Sequence, residues 1–242
     1  MFHRSNHGLY VSDLLTVIRG LKHGFTTRTH GDMRNKNMIT SLLGIDSVYI
    51  QAQQVHGATV EIISPKIKTS TIRNVDGLVT RSNKYQQFLT VRTADCVPLL
   101  AVDPSRKIIG VAHSGWKGTV AKIPQQLIKA MVAQGADIDT IRVVLGPSIG
   151  ACCYRVNDDC KNTFIAAFGS FGKGIIGKNG QAFFDLGANI VDQLRLMGIK
   201  KRHIETATIC NSCLYPDFFS YRKDTTETFG EMLGFIGFNS SV

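Results

Sequence analysis

Three short segments of this 242-residue chain concentrate side chains able to bind a metal, move a proton or attack a substrate. They are Gln54-Val55-His56-Gly57, Thr93-Ala94-Asp95-Cys96-Val97-Pro98 and His113-Ser114-Gly115-Trp116-Lys117-Gly118-Thr119. Each falls at the start or end of a predicted strand, where a rigid scaffold presents groups to a cleft. Imidazoles and a thiol suit a soft divalent metal or an activated nucleophile. Each segment also has a plainer reading alone. A histidine beside a glycine is commonly a hydrogen-bonded surface residue, Cys96 before Val-Pro-Leu-Leu reads as a small buried hydrophobe, and Trp116 reads as core. The gaps between the segments fit no short zinc-finger pattern.

The elements that must position these segments follow from hydrophobic periodicity and punctuation. Strands are expected at 22–27, 47–50, 59–63, 77–80, 88–93, 97–102 and 107–112. Asp103-Pro104-Ser105-Arg106 joins the last two as a hairpin turn. Helices are expected at 36–43, stopped by Gly44, and at 158–168 with Asn157 as cap. A helix at 186–197 stops at Gly198, and one from Thr119 carries Val120, Ile123, Leu127, Ile128 and Met131 as one apolar stripe. Further strands are expected at 141–145, 204–209 and 218–221, with a last apolar stretch at 235–238. Strands in the middle of the chain are not separated by regular helices, which points to an α+β architecture and away from a doubly wound fold. No Walker loop is present. Without repeats or linkers, residues 1–242 read as a single domain.

Composition bounds the function. The chain is 43% hydrophobic and 19% charged, which excludes disordered, collagenous and coiled-coil classes. No apolar run reaches the roughly 18 residues of a membrane helix, and the first residues lack a signal-peptide core, so a cytoplasmic location is expected. The net charge of +10 favours anionic ligands. The basic residues are dispersed, with Lys200-Lys201-Arg202 the only run of three and no aromatics interleaved, so neither a nucleic-acid nor a membrane partner is expected. Six cysteines in a reducing compartment read as free thiols, ligands or nucleophiles. Cys210-Asn211-Ser212-Cys213, a single CxxC, reads as ordinary thiols, and Cys153 of the Cys152-Cys153 pair as a packed one.

Ordered blocks along nearly the whole chain resemble the YfiH-like laccase-domain family, described both as multicopper polyphenol oxidases and as purine nucleoside phosphorylases. The blocks are Gly24-Phe25-Thr26-Thr27-Arg28, Gln54-Val55-His56-Gly57, Asp76-Gly77-Leu78-Val79-Thr80, Ala94-Asp95-Cys96-Val97-Pro98, His113-Ser114-Gly115-Trp116-Lys117-Gly118, Gly146-Pro147-Ser148-Ile149-Gly150, Cys153-Tyr154 and Phe219-Ser220-Tyr221-Arg222. The resemblance implies a single domain of two mixed β-sheets flanked by helices, an αββα sandwich. It implies one Zn²⁺ held by His56, Cys96 and His113, with copper as the alternative metal. It also implies phosphorolysis of adenosine, inosine or methylthioadenosine, with accompanying adenosine deamination. The chain departs from the family pattern at Lys117, where arginine is usual, at Arg155, where glutamate is usual, and after Arg222, where a Thr-Gly-Arg is missing.

Two imidazoles and a thiolate suit zinc and leave a fourth position open. Beside them Asp95 is a proton carrier or, on the preferred reading, a carboxylate that orients a ligand imidazole. The loop before Thr119, with Lys117, reads either as a phosphate cradle at a helix start or as a glycine turn capped by Thr119. Trp116 offers a flat face to a purine, and Arg28 and Arg222 are the next candidate contacts. The partners expected are a purine nucleoside and phosphate, with the chain a monomer. Competing readings are a copper polyphenol oxidase, a metal-free hydrolase with Cys96 as nucleophile and His113 as base, and a non-enzymatic binding protein.

Overall fold

The structure is a computed structural model that describes residues 1–44, 47–64, 66–68, 70–81, 87–169 and 174–239. Alternation along the central strands sorts their side chains into layers. In Val97–Asp103 and Ile108–Ser114, Leu99, Ala101, Ile108 and Ala112 enter one core, while Leu100, Val102, Ile109 and Val111 enter another. A strand buried on both faces must have a layer packed against each. On one side lie the helices Ile123–Ala133, Asp158–Phe168 and Leu186–Leu196, whose Leu127, Ile128, Phe164, Ile190 and Leu194 complete the first core. On the other side a second sheet contributes Phe25, Ile50, Leu89, Val91 and Ile236. The outer face of that sheet, through Tyr49, Phe88, Leu233 and Phe235, is covered by Ile39 and Leu43 of the helix Lys36–Leu43. The result is an αββα sandwich with mixed sheets, as the family resemblance implied, and within the α+β class that the strand pattern pointed to.

The first sheet has six strands in the order Ile204–Thr206, Arg142–Leu145, Val97–Asp103, Ile108–Ser114, Gly77–Arg81 and Val60–Ile62. The second has seven, in the order Phe2–Arg4, Tyr10–Ser12, Leu21–Phe25, Met232–Phe238, Gln87–Thr93, Val48–Ala52 and Ser70–Ile72. The hairpin forms as expected, with Asp103 opposite Ile108. Asp103 Oδ1 accepts from the backbone N–H groups of Ser105 and Arg106 and closes the turn.

Two expected elements are corrected. The helix expected from Thr119 is instead two helices, Trp116–Val120 and Ile123–Ala133, broken at Lys122 with φ +66°. Pro124 is the cause: inside one continuous helix its ring would clash with the carbonyl of Val120, whereas it fits the first turn of a new helix. The strand expected at 218–221 is a turn-rich connection. Phe218 N–H donates to the Leu214 carbonyl of a turn, Phe219 N–H to Met232 Sδ and Ser220 N–H to Asp224, and the following Arg222 N–H goes to Asp95, so these donors are not offered to a ladder.

Candidate functional site

The sandwich brings the three reactive segments to one end. His56 lies on the connection from Val48–Ala52 of the seven-stranded sheet to the six-stranded sheet. Cys96 lies where the chain crosses from Gln87–Thr93 to Val97–Asp103, and His113 sits near the end of Ile108–Ser114. One ligand atom from each of His56, Cys96 and His113 lies within 4.8 Å of the others. The two imidazoles meet edge to face with centroids 4.7 Å apart.

Glycines make this convergence possible. A Cβ on Gly115 would stand 2.8 Å from Cys96 Sγ and 3.2 Å from His56 Cδ2, and one on Gly118 would stand 2.9 Å from the Gly57 carbonyl oxygen. His56 adopts φ +60° and Asp95 φ +87°, left-handed conformations that non-glycine residues hold only when their surroundings impose them.

The imposing group at His56 is Asp76, fully buried at the start of Gly77–Arg81. Its Oδ1 accepts from His56 N–H at 2.9 Å and pairs with His113 Nδ1 at 2.9 Å. Its Oδ2 accepts from Val55 N–H at 3.2 Å and Gly57 N–H at 2.7 Å. One carboxylate thus shapes the His56 loop and fixes the His113 ring, leaving His113 Nε2 as its free ligand atom. Burial raises the Asp76 pKa, but the His113 contact and the Gly57 and Val55 donors outweigh it and hold the carboxyl below its usual value. Orienting an imidazole is therefore the task of Asp76, and the preferred role for Asp95 is corrected. Asp76 belonged to a recognised block, yet only the pairing of distant segments shows what it touches.

Burial works against a Cys96 thiolate, but the charge and hydrogen bonds of His113 and His56 bring the thiol down to about 7. Burial likewise opposes a charged His113, and Cys96 and Asp76 together hold it up to about 9. A thiolate and imidazolium pair is what a soft cation displaces when it takes the place of the shared proton. Two histidines and a thiolate, with one imidazole held by a buried carboxylate, fit Zn²⁺ in donor type and in supporting hydrogen bonds.

The three residues open on a cavity of about 620 Å³. Asp95, Trp116, Lys117 and Arg222 line it, together with Tyr154 and Tyr221, which belong to family blocks but were given no role, and Arg92 and Glu231, which were not singled out. Arg92 Nε lies 3.2 Å from Glu231 Oε2; its signal was a charged residue in a strand that is otherwise uncharged, two positions before Ala94. Asp95 Oδ2 accepts from the Ser220 hydroxyl at 3.0 Å and from Arg222 N–H at 2.9 Å, while its buried Oδ1 has no hydrogen-bond partner. Burial pushes the Asp95 carboxyl above its usual pKa despite those donors. The Arg222 guanidinium lies over the Tyr154 ring, 5.0 Å from its centroid, and bonds the Arg155 carbonyl.

Two expectations are corrected here. Arg28 is outside the cavity lining: its guanidinium donates to Asp224 at 3.0 Å and to the Phe218 carbonyl, and lies over the Phe219 and Tyr215 rings. The Asp224 side chain is fully buried, and a buried carboxylate needs such a cation. The helix start is also displaced. Gly115 is the N-cap, so Lys117 sits inside a five-residue helix, and Thr119 N–H and Oγ1 both donate to the Gly115 carbonyl. Thr119 is thus not the cap.

Residues 22–239 match the family model described as multi-copper polyphenol oxidoreductase laccase. An adenosine deaminase from an unknown prokaryotic organism is 32% identical over 192 residues, 75% of this chain and 72% of that protein. The purine nucleoside phosphorylase YlmD of Bacillus subtilis is 29% identical over 216 residues, 85% of this chain and 76% of that one. The crystal structure of the hypothetical protein YfiH from Bacillus licheniformis superposes with a TM-score of 0.84 at 26% identity, covering 98% of this chain and 99% of that one.

Proposed function

We propose that this chain, which belongs to the multi-copper polyphenol oxidoreductase laccase family, is a zinc-dependent purine nucleoside enzyme. Its reactions would be phosphorolysis of adenosine, inosine or methylthioadenosine, with accompanying adenosine deamination. The observation that carries the reading is the convergence of His56, Cys96 and His113 on a cavity with aromatic and cationic walls. The names of its relatives support the substrate class.

His56, Cys96 and His113 would hold the zinc. When bound it supplies a Lewis acid that polarises a substrate atom. Asp76 keeps the His113 ring in place. Trp116 and Tyr154 offer faces for a purine, and Lys117 and Arg222 offer positive charge to phosphate. Asp95 is the proton carrier: its carboxyl pKa is raised, and Oδ1 is free to hold a proton for the departing purine. Breaking the glycosidic bond sends an electron pair into the base, and a proton delivered there stabilises the leaving group.

A multicopper centre, as the family description suggests, has less support. Among the described residues, the groups of three or more His, Cys, Asp or Glu able to share an ion are this one and a set of four cysteines. Neither offers the several histidines a multinuclear copper cluster would use.

The test is release of adenine or hypoxanthine as phosphate is varied, in the wild-type chain and in Cys96→Ser. Expected are a phosphate-dependent rate and the joint loss of activity and one zinc equivalent in the variant. A rate independent of phosphate sinks the phosphorylase reading. A covalent substrate adduct on Cys96 would establish the thiol-hydrolase reading instead.

A further inference from the structure

The two cysteine pairs left as ordinary thiols by the sequence meet in space. Cys152 and Cys153 lie in the turn after Gly146-Pro147-Ser148-Ile149-Gly150, and Cys210 and Cys213 lie after Ile204–Thr206. All four Sγ atoms lie within 4.8 Å of one another. We propose that Cys152, Cys153, Cys210 and Cys213 form a second metal centre, a tetrathiolate Zn²⁺ site separate from the His56, Cys96 and His113 group.

The geometry suits an ion better than a disulfide. Cys213 Sγ lies 3.5 Å from Cys152 Sγ and 3.4 Å from Cys153 Sγ, so it is shared by two neighbours and paired with neither. Zinc–sulfur bonds of about 2.3 Å in a tetrahedron put the sulfurs about 3.8 Å apart. The observed cluster needs only small rotations to reach that spacing. Four thiolates complete the coordination shell and leave no open position, the pattern of a structural zinc. Cys152 and Cys213 are exposed, so an ion can enter.

The surrounding backbone is organised for the cluster. Ser148 and Cys210 form a β-bridge, and Asn211 N–H donates to the Ser148 carbonyl at 3.0 Å. Gly150 N–H donates to Cys210 Sγ at 3.2 Å, the kind of bond that steadies a ligand sulfur. A Cβ on Gly150 would stand 3.3 Å from Cys152 Sγ and 3.4 Å from Cys210 Cβ, so a glycine there keeps the backbone close to the sulfurs without crowding them.

The consequence reaches the cavity. Tyr154 follows Cys153 directly, and the chain after Cys213 leads to Ser220 and Arg222, which hold Asp95. A zinc here clamps the two segments that bring Tyr154 and Arg222 face to face. It is a positioning device, with no part in the chemistry.

The experiment counts metal in the full chain, purified under reducing conditions without added metal, by elemental analysis. Two zinc equivalents are expected in the wild type, and one each in Cys213→Ser, Cys152→Ser and Cys96→Ser. Cobalt substitution gives a readout independent of nucleoside turnover. The intense thiolate-to-cobalt charge-transfer band should persist in Cys96→Ser, which keeps the four-thiolate group, and fall to the weaker band of the single Cys96 thiolate in Cys213→Ser, with circular dichroism confirming that each variant is folded. The proposal is overturned by a wild-type zinc content that is unchanged in Cys152→Ser and Cys213→Ser, by iron in place of zinc, or by a disulfide among these cysteines in thiol-trapped protein.

Discussion

Replacing Asp76 by asparagine tests the claim that one buried carboxylate builds the metal site. Asp76 takes four donors between 2.7 and 3.2 Å, two on each oxygen. An asparagine keeps one accepting oxygen and turns N–H groups toward the other two donors. If the amide nitrogen replaces Oδ2, Val55 N–H and Gly57 N–H are stranded and the His56 loop shifts. If it replaces Oδ1, His56 N–H is stranded and His113 must accept at Nδ1. Its proton then moves to Nε2, the atom needed for the metal. Each lost bond to a charged acceptor costs about 1.5–3 kcal/mol, so stability should fall by about 3–6 kcal/mol before the loop relaxes. Metal affinity should fall about 10- to 100-fold, the usual effect of removing a partner that orients a ligand. The assay is competition with a chromophoric chelator, run in a Cys213→Ser background so that one site is followed, with urea unfolding of the metal-free chains alongside. Affinity within about threefold of the parent, together with unchanged stability, would refute the reasoning.

Three further outcomes are expected. Gly115→Ala places a Cβ 2.8 Å from Cys96 Sγ; metal affinity should drop about tenfold or more while stability falls by about 1–3 kcal/mol, measured by the same two assays. His23 is buried and accepts from Ser12 N–H, and burial lowers its pKa from 6.5 to about 4. Its neutral form is the one that folds, so the stabilisation is complete above pH 6.5 and is lost as pH falls toward 4. His23→Gln, which keeps an acceptor without titrating, should reduce the stability difference between pH 7 and pH 4 by about 3 kcal/mol, and an unchanged difference in urea midpoints would count against this. Lys117 is exposed and lines the cavity. Lys117→Ala should raise the phosphate KM by about tenfold, the low end for a charge-assisted contact, and an unaltered KM would place phosphate elsewhere.

Local signals were enough for much of the architecture. The helices Lys36–Leu43 and Asp158–Phe168 start and stop where Asn35, Gly44, Asn157 and Gly169 place them, because caps and positive-φ glycines act within a turn of the chain. The hairpin Val97–Ser114 was legible because Asp103 organises its own turn. Continuous apolar runs named the strands that fill both cores. Short strands such as Phe2–Arg4 and Tyr10–Ser12 were not legible, since three residues carry too little periodicity.

The site divides along the same line. Residue types and the family pattern pointed to His56, Cys96 and His113 as groups, while their meeting is a product of the two crossings between sheets. Arg28 looked like a substrate contact and is instead the counter-charge of buried Asp224. Asp95 and Asp76 are both acidic residues in family blocks; that one holds a free buried oxygen and the other four donors depends on what the fold packs around them. Two cysteine pairs nearly sixty residues apart became one cluster only through the bridge between Ser148 and Cys210. The chain by itself determined which chemical groups were available and how each local element begins and ends. The tertiary structure decided which groups meet in space, and hence their partners and protonation, because hydrogen bonds and Coulomb attraction act over a few ångströms of space whatever the separation along the chain.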